Sequence, residues 1–150
     1  MIKNIAIGCD PNAAGLKEVL INHLKLSGYD VTDYGSDDPI YANTAFEVAK
    51  AVADKKHERG VLLCGTGLGM SLAANKVTGV YAVACSDAYS VERSIKSNNV
   101  NILTLGSKIV SEELAKALLS LWLSCDYEAG GPSEPKVQRI YEIEKNSLHN

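Results

Sequence analysis

Val61-Leu62-Leu63-Cys64-Gly65-Thr66-Gly67-Leu68-Gly69-Met70-Ser71 is the stretch whose reading decides the fold. A Val and Leu run after Gly60 reads as a buried strand. It stops at a cysteine, glycines alternate at 65, 67 and 69, and Met70-Ser71-Leu72-Ala73-Ala74-Asn75-Lys76 reads as a helix start. Strand, glycine loop and helix are parts of an open α/β sheet, which binds ligands at the carboxyl ends of its strands. The thiol of Cys64 is therefore expected among backbone N–H groups and a helix N-terminus, a field that favours negative charge and the thiolate. A base beside such donors suits proton abstraction next to a carbonyl: the base takes the proton and the N–H groups hold the enediolate oxygen. Cysteine at a strand end is more often simply core. Three alternating glycines, which let a backbone approach a ligand closely, tip the balance toward a site.

Outward from this unit, apolar runs alternate with helical patterns. Ile2 to Gly8 is strand-like, and Asn12 or Ala13 opens a helix with Leu16, Val19, Leu20 and Leu24 on one face, stopped by Gly28. Tyr29 to Tyr34 is a shorter strand, and 35–39 a loop. Ala42 to Lys55 carries Phe46, Ala49, Val52 and Ala53 at helical spacing. Gly60 to Cys64 is the third strand, Gly79 to Cys85 the fourth, Asp87 to Lys96 a helix and Asn101 to Leu105 the fifth strand. Ser111 caps a helix through Leu123, with Glu112 and Glu113 in its first turn. Gly130-Gly131-Pro132 breaks the chain, and Pro135 to Lys145 reads as a terminal helix with a Val137, Ile140, Tyr141, Ile143 stripe. The pattern predicts a Rossmann-like three-layer α/β sandwich: five parallel strands with helices on both faces. The terminal helix has no strand to follow it. It is expected to dock on a partner subunit in a homo-oligomer, the alternative being that it closes its own sheet.

Bulk properties narrow the function. At 150 residues and 46% hydrophobic content the chain reads as one domain over 1–150 with a full core. A formal charge of −3 supplies no basic patch for nucleic acid. No apolar run approaches the length of a membrane span, and Met1 to Asn4 lead straight into a strand-like run with no signal-peptide layout. Cys9, Cys64, Cys85 and Cys125 form no CxxC pair, which suits reduced thiols in a cytoplasmic protein. His23, His57 and His149 show no zinc-ligand spacing to them. The glycine loop is neither G-x-G-x-x-G nor a P-loop, so it is weak evidence for a nucleotide.

Other candidates gather around Cys64. Asp10, at the end of strand one, either bonds sugar hydroxyls or caps the following helix, and strand one normally lies beside strand three. Asn98, in Ser97-Asn98-Asn99-Val100-Asn101, either binds hydroxyls and oxyanions or serves a turn. A phosphate would need cations, and Lys108, Lys136 and Arg139 are the candidates, each alone resembling an ordinary surface charge.

These residues together resemble the family of ribose-5-phosphate isomerase B and the galactose-6-phosphate isomerase subunits, aldose–ketose isomerases of sugar phosphates. The resemblance covers nearly the whole chain. It is carried by 5–10, by 28–31, by Cys64 to Ser71 with 73–77, by Asn98 with Asn101, by Leu105-Gly106-Ser107, and by Trp122-Leu123 with Tyr127-Glu128. It implies a Rossmann-like fold, dimers or tetramers with shared active sites, and a cofactor-free, metal-free reaction. It implies Cys64 as the base moving a proton between C1 and C2, and Gly65, Gly67, Leu68 and Gly69 as the enediolate loop. Asp10 and Asn98 fall on substrate contacts. Thr66 matches a hydroxyl of the motif, and its chemistry suits a proton relay.

Departures from the family touch two functions, ring opening and phosphate binding. The family's Asp-His is Asp10-Pro11, its ring-opening histidine is Ser97, its Arg-His pair is Pro132-Ser133, and two phosphate arginines are Lys108 and Lys136. A pentose or hexose phosphate is mostly cyclic and its ring needs acid–base help to open. A four-carbon sugar esterified at O4 cannot close a five-membered ring, so the missing histidine permits a short, acyclic sugar phosphate. Lys also lacks the bidentate fork of Arg. The expected function is a cysteine-dependent aldose–ketose isomerase working through a cis-enediolate. The alternative is a non-catalytic sugar-phosphate-binding protein or one subunit of a heteromeric galactose-6-phosphate-type isomerase.

Overall fold

The computed structural model describes residues 2–147 and holds five parallel strands between two helical layers. The elements run β1 (Asn4–Cys9), a 3-10 turn (Pro11–Ala13), α1 (Ala14–Leu26), β2 (Asp30–Asp33), α2 (Tyr41–Ala53), β3 (Arg59–Cys64) and α3 (Leu68–Ala74). They continue as β4 (Ala82–Ala84), α4 (Ala88–Lys96), β5 (Ile102–Gly106), α5 (Glu112–Ser124) and α6 (Glu134–Ser147). The sheet order is β2-β1-β3-β5-β4. Strand one lies beside strand three as expected, while β5 inserts between β3 and β4 and leaves three-residue β4 at an edge.

Alternation along the strands divides the core. Ile5, Ile7, Val61, Leu63, Leu103 and Leu105 are buried in one cluster with residues of α1, α4 and α5. Ala6, Leu62, Cys64 and Ile102 are buried in the other with α2 and α3. Each such Leu or Ile is worth about 1.5–3 kcal/mol of transfer free energy, so the central strands are firmly held. Cys9 and Cys64 end adjoining strands but point to opposite faces. Caps follow the sequence: the Ser111 hydroxyl accepts from the Leu114 N–H at 3.1 Å, and the Asp87 carboxylate from that of Ser90 at 2.8 Å.

Two helical stripes need correction. In α2, Phe46 is 54% exposed, and Thr44, Ala45, Val48, Ala49, Ala51 and Val52 are buried instead. In α1, Val19 is only half-buried while Lys17 is buried, its ammonium 2.7 Å from Asp33. At the β4 edge the Asn75 side chain donates to the Ala82 carbonyl at 2.8 Å and accepts from its N–H at 2.7 Å.

The terminal helix lies against its own chain. Val137 is buried, the Tyr141 hydroxyl accepts from the Asn99 amide at 3.2 Å, and the Glu144 carboxylate accepts from the Gly79 N–H and the Tyr81 hydroxyl. Of the predicted stripe only Val137 is buried, while Ile140 and Ile143 remain about half exposed.

Candidate active site at the carboxyl end of the sheet

Register builds the site. Leu63 pairs with Cys9 and Cys64 with Gly106, so Asp10, Cys64 and Gly106 stand in one row where three strands end. Backbone bonds hold the row: the Asp10 N–H donates to the Leu63 carbonyl at 3.2 Å and the Ser107 N–H to that of Cys64 at 2.8 Å. The thiol is only 6% exposed, and the Gly67 N–H points at its sulfur from 3.1 Å.

The glycines do different jobs. Gly67 has φ +82°, a left-handed turn that starts α3 and aims its N–H back at the sulfur. The buried Thr104 hydroxyl, from β5, donates to its carbonyl at 2.7 Å and pins the turn from below. A Cβ on Gly69 would come within 2.6 Å of the Tyr41 ring, so this glycine makes room for an aromatic at the start of α2. At Gly65 a Cβ would meet only the Lys108 side chain, at 3.7 Å. Tyr41 was missed in the sequence because it stands just before the helical stripe and belongs to no motif; only the room that Gly69 leaves betrays it.

Asp10 does not cap the turn that follows it. It is 6% exposed, one carboxylate oxygen accepts from the Asn12 amide at 3.2 Å, and the other is buried with no partner. A buried acceptor without a donor is costly unless a ligand supplies one. The Thr66 hydroxyl accepts from the Leu68 N–H at 3.2 Å and lines a cleft of about 210 Å³ with Leu68, Cys85, Thr104 and Ile109. Burial pushes the half-buried Cys85 thiol up, with Asp87 adding to the effect, and burial drives the Cys9 thiol up to about 11.

Cys64, Thr66, Asp10, Gly65, Gly67, Leu68, Gly69 and Lys108 thus meet at one end of the sheet. Asn98, Lys136 and Arg139 do not join them. Asn98 precedes β5, so about 13 Å of strand separates its end from that of Cys64. Lys136 and Arg139 are exposed on α6, which bonds to Gly79, Tyr81 and Asn99 at the amino end, and Arg139 pairs with Glu142 at 2.9 Å. Among the described residues no group of three or more His, Cys, Asp or Glu could hold a metal ion, and no helix is long and apolar enough to cross a membrane. His149 lies outside the described residues.

Comparison with known proteins identifies a family and a shared fold. The profile of the family described as Ribose/Galactose Isomerase matches residues 5–140. The chain is 45% identical to D-erythrulose-4-phosphate isomerase of Pectobacterium atrosepticum, over 97% of this chain and 98% of that protein. It is 42% identical to ribose-5-phosphate isomerase B of Escherichia coli, over 96% and 98%. Among solved structures, ribose-5-phosphate isomerase B of Clostridium thermocellum superposes with a TM-score of 0.90 at 38% identity, covering 96% of this chain and 99% of that one.

Proposed function

The chain belongs to the ribose/galactose isomerase family and is a sugar-phosphate isomerase; we propose that it interconverts a four-carbon ketose phosphate and its aldose through a cis-enediolate, with Cys64 as the base. The observation that carries this reading is the Cys64 sulfur, seated at the strand end under the Gly67 N–H. Cys64 takes the proton from one of C1 and C2 and returns it to the other. Backbone N–H groups at the start of α3 face the oxygen on which negative charge develops. The unpartnered oxygen of Asp10 accepts a sugar hydroxyl, and the Thr66 hydroxyl, its oxygen already bonded by the Leu68 N–H, keeps a proton to relay between the enediol oxygens.

Two things support the short substrate. Pro11 and Ser97 offer no acid–base group for ring opening, which an acyclic tetrose phosphate does not need. The Pectobacterium relative is named for a four-carbon ketose phosphate. Lys108, beside Gly65, gives the phosphate one cation within the same chain. Asn98, Lys136 and Arg139 reach the site only from a second copy, so the active unit is a homodimer or homotetramer with shared sites.

The test is solvent exchange of the transferred proton, at C2 of an aldose and at C1 of a ketose, over four- to six-carbon sugar phosphates with the purified chain alone. Exchange is expected, fastest with the tetrulose phosphate. Its absence across the panel defeats the reading and points to a heteromeric enzyme. Mixing Cys64→Ala protein with Asn98→Ala protein should restore activity neither has alone, because one hybrid site is whole. Lys136→Ala or Arg139→Ala should raise KM about ten-fold if that cation meets phosphate, since a charged contact is worth roughly 1.5–3 kcal/mol.

A further inference from the structure

The two carboxylate oxygens of Asp10 are not equivalent. Oδ2 accepts from the Asn12 side-chain amide at 3.2 Å, while Oδ1 is buried with no partner. No cap bond competes for the carboxylate, and Pro11 between the two residues has no N–H to offer it. Pro11 also fixes φ at the start of the 3-10 turn, so the backbone that carries Asn12 is set before the side chain acts. On its other side the Asn12 carbonyl accepts from the Ser107 hydroxyl at 3.4 Å, and the Ser107 N–H holds the Cys64 carbonyl. A continuous path therefore runs from the strand end of the thiol, through Ser107 and Asn12, to the carboxylate.

We propose that Asn12 is a positioning residue for substrate binding: its amide holds one oxygen of Asp10 so that the other stays aimed at a sugar hydroxyl, in register with Cys64. Without the amide the carboxylate could turn about its last bond, and either oxygen, or neither, would face the hydroxyl. Small misplacements of a positioning contact carry disproportionate losses. The role is filled from the first turn after β1. This inference rests on the sugar-phosphate reading of the site.

Asn12→Ala in the full-length protein tests it, with Asn12→Asp as the variant of matched size that lacks the donor. Both should raise KM about ten-fold, leave kcat within about three-fold and leave the melting temperature unchanged, the signature of lost ground-state binding. Added to Asp10→Asn, Asn12→Ala should cost nothing further, because it acts through that carboxylate. Calorimetric binding of the same sugar phosphate to Cys64→Ala protein, with and without Asn12→Ala, reads the same weakening without turnover. Failure of wild-type turnover thus counts against the proposed reaction and is distinguishable from failure of this inference. Unchanged KM and affinity in both variants, or a full effect of Asn12→Ala in the Asp10→Asn background, overturns it.

Discussion

At the amino end of the sheet long-range polar pairs tie the elements together, the Trp122 indole N–H being left without a partner, whereas at the carboxyl end a buried carboxylate oxygen is left open. Arg59, 7% exposed, donates to the Trp122 and Cys125 carbonyls at 2.5 and 2.7 Å and lies 5.1 Å over the Trp122 ring. His57 sits between Asn4 and Tyr34, 2.8 Å from each. Gly79, Tyr81 and Asn99 bind Tyr141 and Glu144 of α6. By contrast, Asp10 keeps a bare buried oxygen, and Cys64 takes one backbone N–H. The closed end is tied together by pairs within a single chain and supplies rigidity. The open end keeps a buried carboxylate oxygen without a donor, which costs stability unless a ligand supplies one. The same fold serves both because parallel strands place all their carboxyl ends together.

The contrast can be broken most severely at the thiol. Cys64→Ala should lower kcat by about 10²–10⁴-fold, the usual worth of a positioned base, with an unchanged unfolding midpoint. An active variant would remove the base from the mechanism. Arg59→Ala is the mirror experiment. It leaves two buried carbonyls without their charged donor and should cost about 3 kcal/mol or more in denaturant unfolding, with kcat unchanged in the fraction that is folded. A loss of kcat without loss of stability there would erase the division of labour. Thr104→Val lies between the two ends. Removing the hydroxyl under the Gly67 carbonyl should lower kcat about ten-fold with a small loss of stability, since one buried bond of about 1–1.5 kcal/mol steadies the turn that aims its N–H at the sulfur.

The smallest effect is in pH. Burial, helped by the charge of Lys56, holds His57 below its ordinary 6.5. Between that lowered value and 6.5 the unfolded chain binds more protons than the folded one, so this contribution is whole above 6.5 and is lost as pH falls below it. Asp33 acts in a more acidic window. Its own burial opposes ionisation, but Lys17 and the Gly35 N–H outweigh it and hold the carboxyl below 3.8. Stability from Asp33 is present above 3.8 and is lost as pH falls through the lowered value. The pH dependence of stability should therefore flatten just below pH 6.5 in His57→Gln but keep the acid limb; a slope unchanged from wild type would show that His57 does not titrate with folding.

The open end was far more legible in the sequence than the closed one. Cys64 and its loop are local: an apolar run, a thiol and glycines adjacent in the chain. Asp10 followed from the rule that strand one neighbours strand three. The closed end is made of distant pairs such as Arg59 with Cys125 and Tyr81 with Glu144, which no spacing announces. The same non-locality hid the insertion of β5 between β3 and β4, and the bonds of α6 to Gly79, Tyr81 and Asn99. Lys17 broke the helical stripe for a related reason, because its partner Asp33 lies across a strand and a turn. The glycine pattern of the loop does not announce that a Cβ at Gly69 would also meet the Tyr41 ring.

The amide of Asn75 against Ala82 has a consequence beyond the site. A free sheet edge is a template for another chain, and unprotected edges seed fibrils. At β4 the side chain of Asn75 meets both the N–H and the carbonyl of Ala82 as a neighbouring peptide would, so the outermost strand already has its surrogate. At the opposite edge, β2 is only four residues long and begins with the exposed Asp30, so a strand approaching there meets a short edge and a negative charge. The sheet thus stops growing at five strands at both borders, by an imitation peptide on one side and by charge on the other.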